Sequence, residues 1–303
     1  RVSRGLGDVY KRQLKEWLKF ANSLRLRLAM RISNVDATLA KDQATKALND
    51  NQGVLEGARE TIAVMGKNYI NPLCAVAGWG EVYMNASMES IVNGYEDPRG
   101  KKWYNTALLE GYQKQLLGIP IGLPMKDGDA NIYSFCSSLN TSTIGEKTGA
   151  VLMSAAEVWL LRAEAALRGY TKENPRTCYE YGVSTSFTQW DCAGASEYLE
   201  SDKTPADYKD VVSGGKVGKD MKALITISPK WEEDADIETK LEKIITQKWL
   251  ACWPESYEAW AEQRRTGYPK LFKVQSNTGK VIDTDIMLSL IHISEPTRHS
   301  LIS

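Results

Sequence analysis

Apolar residues recur at helical spacing along most of this chain. In EWLKFANSLRLRLAMRIS (16–33), Trp17, Phe20, Ala21, Leu24 and Leu28 share one face, while Arg25, Arg27 and Arg31 fall mainly elsewhere. A second helix is expected from Asp36, a good N-cap residue, through Leu39, Ala40, Ala44, Ala47 and Leu48. In LMSAAEVWLLRAEAALRGY (152–170), Ser154 and Glu157 have capping-box spacing, and Gly169 is placed to stop the helix in a left-handed cap. Its stripe is Leu152, Ala156, Trp159, Leu160, Ala163 and Leu167, and the alanines permit close approach of a partner. CYEYGVSTSFTQW (178–190) is the expected partner, with Tyr179, Val183, Phe187 and Trp190 on its face. Two antiparallel helices joined by a short loop, one small-faced and one aromatic, make a tetratricopeptide-like unit.

A last pair reads IETKLEKIITQKWLACWPESYEAWAEQRRTGYP (237–269). Leu241, Ile244, Ile245 and Trp249 line its first helix. The second is expected to start at Pro254, to share a face among Tyr257, Trp260, Ala261 and Arg264, and to end at Gly267 and Pro269. Residues 66–150 break the pattern. GYEDPRG (94–100), GIPIGLP (118–124) and KDGDAN (126–131) are turn or loop chemistry, and so long an ordered irregular stretch is usually functional. The expected fold is therefore all-α: a tetratricopeptide-like helical scaffold (14–65 and 151–287) with an irregular, loop-rich ligand lobe (66–150).

The two ends change the counts. LSLIHISEPTRH (288–299) can be encoded by DNA whose opposite strand translates as VSRGLGDVYKRQ (2–13). Natural termini have no reason to agree as inverted DNA. A sequencing adapter joined to both ends of a fragment and translated with it produces that agreement. On this reading 1–13 and 288–303 are adapter-derived, 14–287 is a segment open at both ends, and Leu6, Val9 and Tyr10 are not expected to build core.

The whole chain has 38 Lys+Arg and 38 Asp+Glu. Setting aside Arg1, Arg4, Lys11, Arg12 and Arg298, with Asp8 and Glu295, leaves 33 against 36, a net charge of −3. No concentrated basic face suggests nucleic acid, and no run approaches the roughly 20 apolar residues of a membrane span. Both histidines, His292 and His299, lie in the adapter-derived tail. The remaining segment therefore has no Ser-His-Asp or Cys-His set and no histidine metal ligand. Cys74, Cys136, Cys178, Cys192 and Cys252 form no C-x-x-C pair; scattered free thiols fit better than a disulfide framework, with a Cys178–Cys192 bridge left open. SGGKVGKD (213–220) lacks the first glycine and the Ser/Thr of a phosphate loop.

WLKFANSLRLRLAMRIS (17–33), YEDPR (95–99), LMSAAEVWLLRAEAALRG (152–169), YEYGVSTSFTQW (179–190) and ITQKWLACWPESYEAWAEQRRTGYP (245–269) follow one another in an order and spacing that resembles the SusD/RagB family, in its SusD-like branch. The resemblance implies a lipid-anchored surface lipoprotein of the outer membrane, serving as a lid on a TonB-dependent (SusC-like) transporter and capturing oligosaccharides or similar nutrients. It implies no catalysis and no cofactor. The family has no fixed binding motif to carry over. Its lipidated cysteine, first helices and closing C-terminal segment are not expected in this text.

Candidate ligand contacts come instead from residue chemistry. Sugars stack on flat aromatic rings, and Trp79, Tyr83, Trp103 and Tyr104 lie in or beside the irregular lobe, with Asn85, Asp127, Asp129 and Asn131 nearby in sequence. Trp17, Trp159, Trp190, Trp249 and Trp260 fall on helical stripes and are expected in the core. A glycosidase would need two facing carboxylates; Glu157, Glu164, Glu258 and Glu262 are expected instead in capping or solvated roles, Glu164 with Arg168 at i+4. A glycan-binding lipoprotein leads, a helical-repeat scaffold for protein partners follows, and a glycosidase is third.

Overall fold

The computed structural model describes residues 3–124 and 131–276, with side chains from Leu14 onward. The expectation that Leu6, Val9 and Tyr10 build no core falls on residues whose side chains lie outside those described. The chain forms two compact units. Among the described residues the first comprises 3–75, 144–204 and 227–269; the second comprises 76–124, 131–143, 205–226 and 270–276.

The first unit is built of helix pairs. α1 (Ser3–Arg31) and α2 (Ala37–Leu48) come first, then a two-stranded antiparallel ribbon of β1 (Ile62–Val64) and β2 (Ala150–Met153). The short α3 (Pro72–Ala77) follows β1 in the chain. After β2 come α6 (Ala155–Leu167), α7 (Pro175–Gln189), α8 (Ala195–Leu199), α9 (Ile237–Ala251) and α10 (Ser256–Thr266). The starts are set by side chains that satisfy orphan N–H groups: Asp36, Ser154, Asn174 and Asp236 each accept from the residue three ahead. Gly169 sits at φ +71° just beyond α6, as its stop signal requires.

α6 and α7 pack as their composition predicts. A Cβ on Gly182 would lie 2.6 Å from Leu160 Cγ, so the helices approach at a point where α7 has no side chain. Tyr179, Val183 and Phe187 are buried, as are Ala156 and Ala163. A second cluster joins Leu26 and Met30 of α1, Ala44 and Ala47 of α2, and Val158, Leu161 and Ala165 of α6. Each large apolar side chain buried there contributes about 1.5–3 kcal/mol.

Two expected faces are turned, that of α1 in part and that of α10 wholly. On α1, Trp17 is 66% exposed and Leu28 is exposed, while Phe20 and Leu24 pack half-buried beside buried Ser23, Leu26, Ala29 and Met30. On α10, Tyr257 and Trp260 are exposed, while Glu258, Ala259, Glu262 and Gln263 are inside. α10 also starts two residues after Pro254, with Glu255 as its cap.

The reason is a buried ion network. The Glu157 carboxylate accepts from Arg27 Nε at 2.7 Å and Nη2 at 2.6 Å. Arg31 Nη2 donates to Glu258 at 2.7 Å, and Arg265 bridges Glu164 at 2.6 and 2.7 Å and Glu262 at 2.5 Å. Lys248 lies among three carboxylates, 3.0 Å from Glu258, 3.4 Å from Glu262 and 4.0 Å from Glu157. The four glutamates read as solvated or capping are thus interior, although Ser154 does cap at Glu157 N–H and Arg168 does pair with Glu164 at 2.8 Å. Desolvation is offset here by near-complete pairing, which lets the charged face of α10 displace its apolar one from the interior. Burial alone pushes the Glu262 carboxyl up, but Lys248, Arg265 and Arg31 outweigh it and hold the group at about 2.

The second unit has little regular structure: α4 (Ala86–Gly94), α5 (Arg99–Trp103) and a 3-10 turn at Ile132–Phe135. Single bridges tie the rest, including Tyr83 to Ser138, Asn85 to Ile119, Tyr104 to Leu139 and Tyr208 to Met221. A Cβ on Gly94 would fall 2.2 Å from the Ala206 nitrogen, so α4 ends against bare backbone of the 205–226 segment. Ala107, Leu117, Tyr133 and Cys136 form one core cluster; Ala86, Tyr208 and Phe272 form another. All five cysteines are free thiols, so Cys178 and Cys192 are not bridged.

Candidate functional site

The irregular unit is organised around YEDPRGKKW (95–103). Asp97 and Arg99 are both buried and satisfy each other: Arg99 donates from its backbone N at 3.0 Å, Nε at 3.0 Å and Nη2 at 2.6 Å. The guanidinium carbon lies 5.6 Å from the centre of the Trp103 ring, in cation–π range. Glu96 takes φ +54°, a conformation that non-glycine residues seldom adopt outside turns and functional sites. The strained turn leaves Glu96 exposed beside a cavity of about 570 Å3, lined also by Asn93, Lys101, Lys114 and Gln115. Its wall offers charged donors, a carboxylate and two amides, the chemistry that fixes hydroxyl groups.

The four predicted aromatic platforms do not form one surface. Trp79 is 71% exposed, in a turn where its N–H donates to Val76 O at 3.0 Å. Tyr83 is half-buried, packed against the Ala107–Leu117–Tyr133–Cys136 cluster. Trp103 is 0% exposed and Tyr104 is buried. Neither of these two offers a ring face to a ligand, which corrects their assignment as platforms: the last residue of α5 and the extended residue that caps it both turn their rings into the core. The nearby polar residues are also occupied. Asn85 caps α4 by accepting from Met88 N, and Asn131 caps the 3-10 turn by accepting from Tyr133 N. Asp127 and Asp129 lie outside the described residues.

Sequence reasoning passed over Glu96, Lys101, Lys114 and Phe135. Phe135 is half exposed, and Ile132 is exposed three residues earlier, the spacing that aligns side chains on a 3-10 turn. That i, i+3 pair around buried Tyr133 was the available signal. For Glu96 it was the YEDPR turn itself.

Glu89 is a buried acid in this unit. Its Oε2 accepts from Gly118 N at 2.5 Å, and burial pushes its pKa from 4.5 up to about 8 despite that bond. A raised acid pKa means stability is full below the unfolded value and is lost as pH rises through the folded one. We expect the melting temperature to fall between about pH 5 and pH 9, with a Glu89 contribution on the order of 4–5 kcal/mol at most. Glu89→Gln keeps an acceptor for Gly118 N–H and carries no charge, so thermal melts across that range should flatten. An unchanged slope in E89Q would assign the pH dependence elsewhere.

Among the described residues no group of three or more His, Cys, Asp or Glu is placed to hold a metal ion, and no helix is long and apolar enough to cross a membrane. A family model described as SusD and RagB outer membrane lipoprotein matches residues 3–297. The chain belongs to the SusD-like family. Solved SusD-like structures agree. A SusD homologue from Bacteroides vulgatus is 57% identical with a TM-score of 0.87, over 90% of this chain and 55% of its own. A chitin-binding SusD homologue from Flavobacterium johnsoniae is 36% identical with a TM-score of 0.82, over 89% and 55%. A SusD-like protein from Bacteroides thetaiotaomicron is 34% identical with a TM-score of 0.78, over 89% and 55%. The chain thus spans little more than half the length of these relatives. No curated protein sequence matched it. The SusD-like match accounts for the mostly helical fold, with its tetratricopeptide-like pairs and one small ribbon.

Proposed function

We propose that this SusD-like chain is the greater part of a surface glycan-binding lipoprotein, which captures oligosaccharides and delivers them to a TonB-dependent (SusC-like) transporter in the outer membrane without hydrolysing them. Family membership carries the reading, and the chitin-binding relative at 36% identity points to the ligand class. The structure adds a fitting chemistry. Sugars are strongly hydrated and offer few apolar faces, so a binder gains most from a rigid exposed ring with a few polar groups for the hydroxyls. The irregular unit has an exposed ring in Trp79, a half-buried one in Tyr83, and the polar cavity beside Glu96.

Trp79→Ala should lower affinity for chito-oligosaccharides about tenfold, equivalent to about 1–2 kcal/mol, and leave the melting temperature unchanged. Calorimetry and thermal melts on the same samples separate the two. Equal affinity in W79A would move the stacking platform elsewhere, and release of reducing ends by the purified protein would overturn the non-catalytic reading.

A protein-partner role is the second reading, favoured by the exposed apolar side chains Trp17, Leu28 and Leu39 on the first two helices and Val35 in the turn between them. Co-purification with a SusC-like transporter, abolished by Trp17→Glu with Leu28→Glu, would support it and is compatible with glycan capture.

A further inference from the structure

A second cavity, of about 780 Å3, opens in the helical unit between the C-terminal end of α2, the segment that follows it, and the α6–α7 turn. This volume lies within the roughly 300–1,000 Å3 of small-molecule sites. One wall is held rigid by Arg162. Its Nη1 donates to Glu56 at 2.7 Å, and its Nε donates at 3.0 Å to Glu173, which Nη2 also engages. The guanidinium carbon stands 3.7 Å from the centre of the Trp159 ring. That ring packs on Tyr181 at 4.9 Å and donates Nε1–H to Glu56 O at 2.9 Å. The α6–α7 turn is tied down as well, since Thr45 Oγ1 donates to Tyr170 O at 3.1 Å.

The lining has three properties that together name a ligand. Leu48, Val54 and the half-buried Tyr170 give it apolar surface. The Thr171 hydroxyl is buried with no hydrogen-bond partner among the described residues, a cost that a ligand hydroxyl would remove. Glu56 and Glu173 are both engaged by Arg162, whereas Lys41 and Lys172 are exposed and have no ion pair among the described residues. Three cations against two carboxylates leave the lining one positive charge, carried by the two lysines. Ammonium groups without an ion pair favour a ligand that carries an anionic substituent over a neutral one.

We propose that this cavity is a second saccharide site, on the helical scaffold, for a sugar bearing a carboxylate or sulfate. The ring would lie against Tyr170 with a hydroxyl on Thr171, and the anionic substituent between Lys41 and Lys172. The site does not depend on the irregular unit.

The test is calorimetry on the purified chain with trigalacturonate, with a sulfated galactose disaccharide lacking carboxylates, and with neutral chitotriose. Saturable binding of either acidic probe is expected, weakening with added salt, and the probe that binds names the substituent. Lys41→Glu with Lys172→Glu should reduce that affinity more than tenfold at unchanged melting temperature. Thr171→Val should reduce it severalfold without lowering the melting temperature. W79A should not affect it, and the lysine double variant should not affect chito-oligosaccharide binding, so this inference and the proposed function fail separately. The assignment is overturned if neither acidic probe saturates, if K41E/K172E binds as well as the parent, if chitotriose binds equally here, or if inorganic sulfate alone competes as strongly as the acidic sugars.

Discussion

Lys248→Met should destabilise the helical unit by about 3–5 kcal/mol at neutral pH, because it removes one partner of a buried charge cluster and leaves the others in place. The Lys248 ammonium is almost fully buried, with Glu258, Glu262 and Glu157 at 3.0, 3.4 and 4.0 Å. Those carboxylates raise the lysine pKa against the opposing effect of burial. The pH dependence follows from Glu262, held at about 2 against an ordinary 4.5. A depressed acid pKa contributes stability that is present above about 4.5 and is lost as pH falls toward 2. In Lys248→Met the carboxylates lose a cation, so acid unfolding should begin at higher pH. The difference from the parent should shrink below about pH 4, where protonated carboxyls no longer need the ammonium. Urea titrations at pH 7 and pH 3.5 read both effects; a cost under about 1 kcal/mol at pH 7 would mean the three arginines suffice without it.

Trp103→Ala should have the second large effect, about 3–5 kcal/mol, in the irregular unit. The ring is 0% exposed and lies under the Arg99 guanidinium. Removing it leaves a cavity that a segment tied by single bridges and tight turns closes only in part, and it strips Arg99 of its aromatic neighbour. Glycan affinity of the folded fraction should stay near that of the parent, the reverse of the outcome expected for W79A. Denaturant melts and calorimetry on W103A and W79A side by side make the comparison. If W103A lost affinity at full stability, the ring would be reachable by ligand after all.

These two tryptophans show why the site was harder to read than the scaffold. Trp79 and Trp103 occupy the same kind of irregular, aromatic-rich sequence, where neither a 3.6- nor a 2-residue period reports which side is inside. Yet one is 71% exposed and the other fully buried. Their difference comes from the Asp97–Arg99 pair over α5 and from an open turn at Val76–Gly80. Glu96 and Lys114 meet at one cavity although 18 positions separate them in the chain, a proximity that only the fold supplies.

What the sequence determined by itself was local: helix positions, the caps at Asp36, Ser154 and Gly169, and the pairing of α6 with α7. Each depends on residues within a few positions, or on the size match between an alanine face and an aromatic one. The order of its motifs was also enough to indicate the SusD-like family. The inward faces of α1 and α10 were decided by the tertiary structure. Arg27 reaches Glu157 and Arg31 reaches Glu258 across 130 and 227 positions, and only once those partners are assembled does it cost less to bury the glutamates of α10 than the face carrying Trp260; α1 turns its Leu26 and Met30 inward and its arginines toward those glutamates. A lone helix shows two plausible faces, and pairing of charges far apart in the chain selects between them.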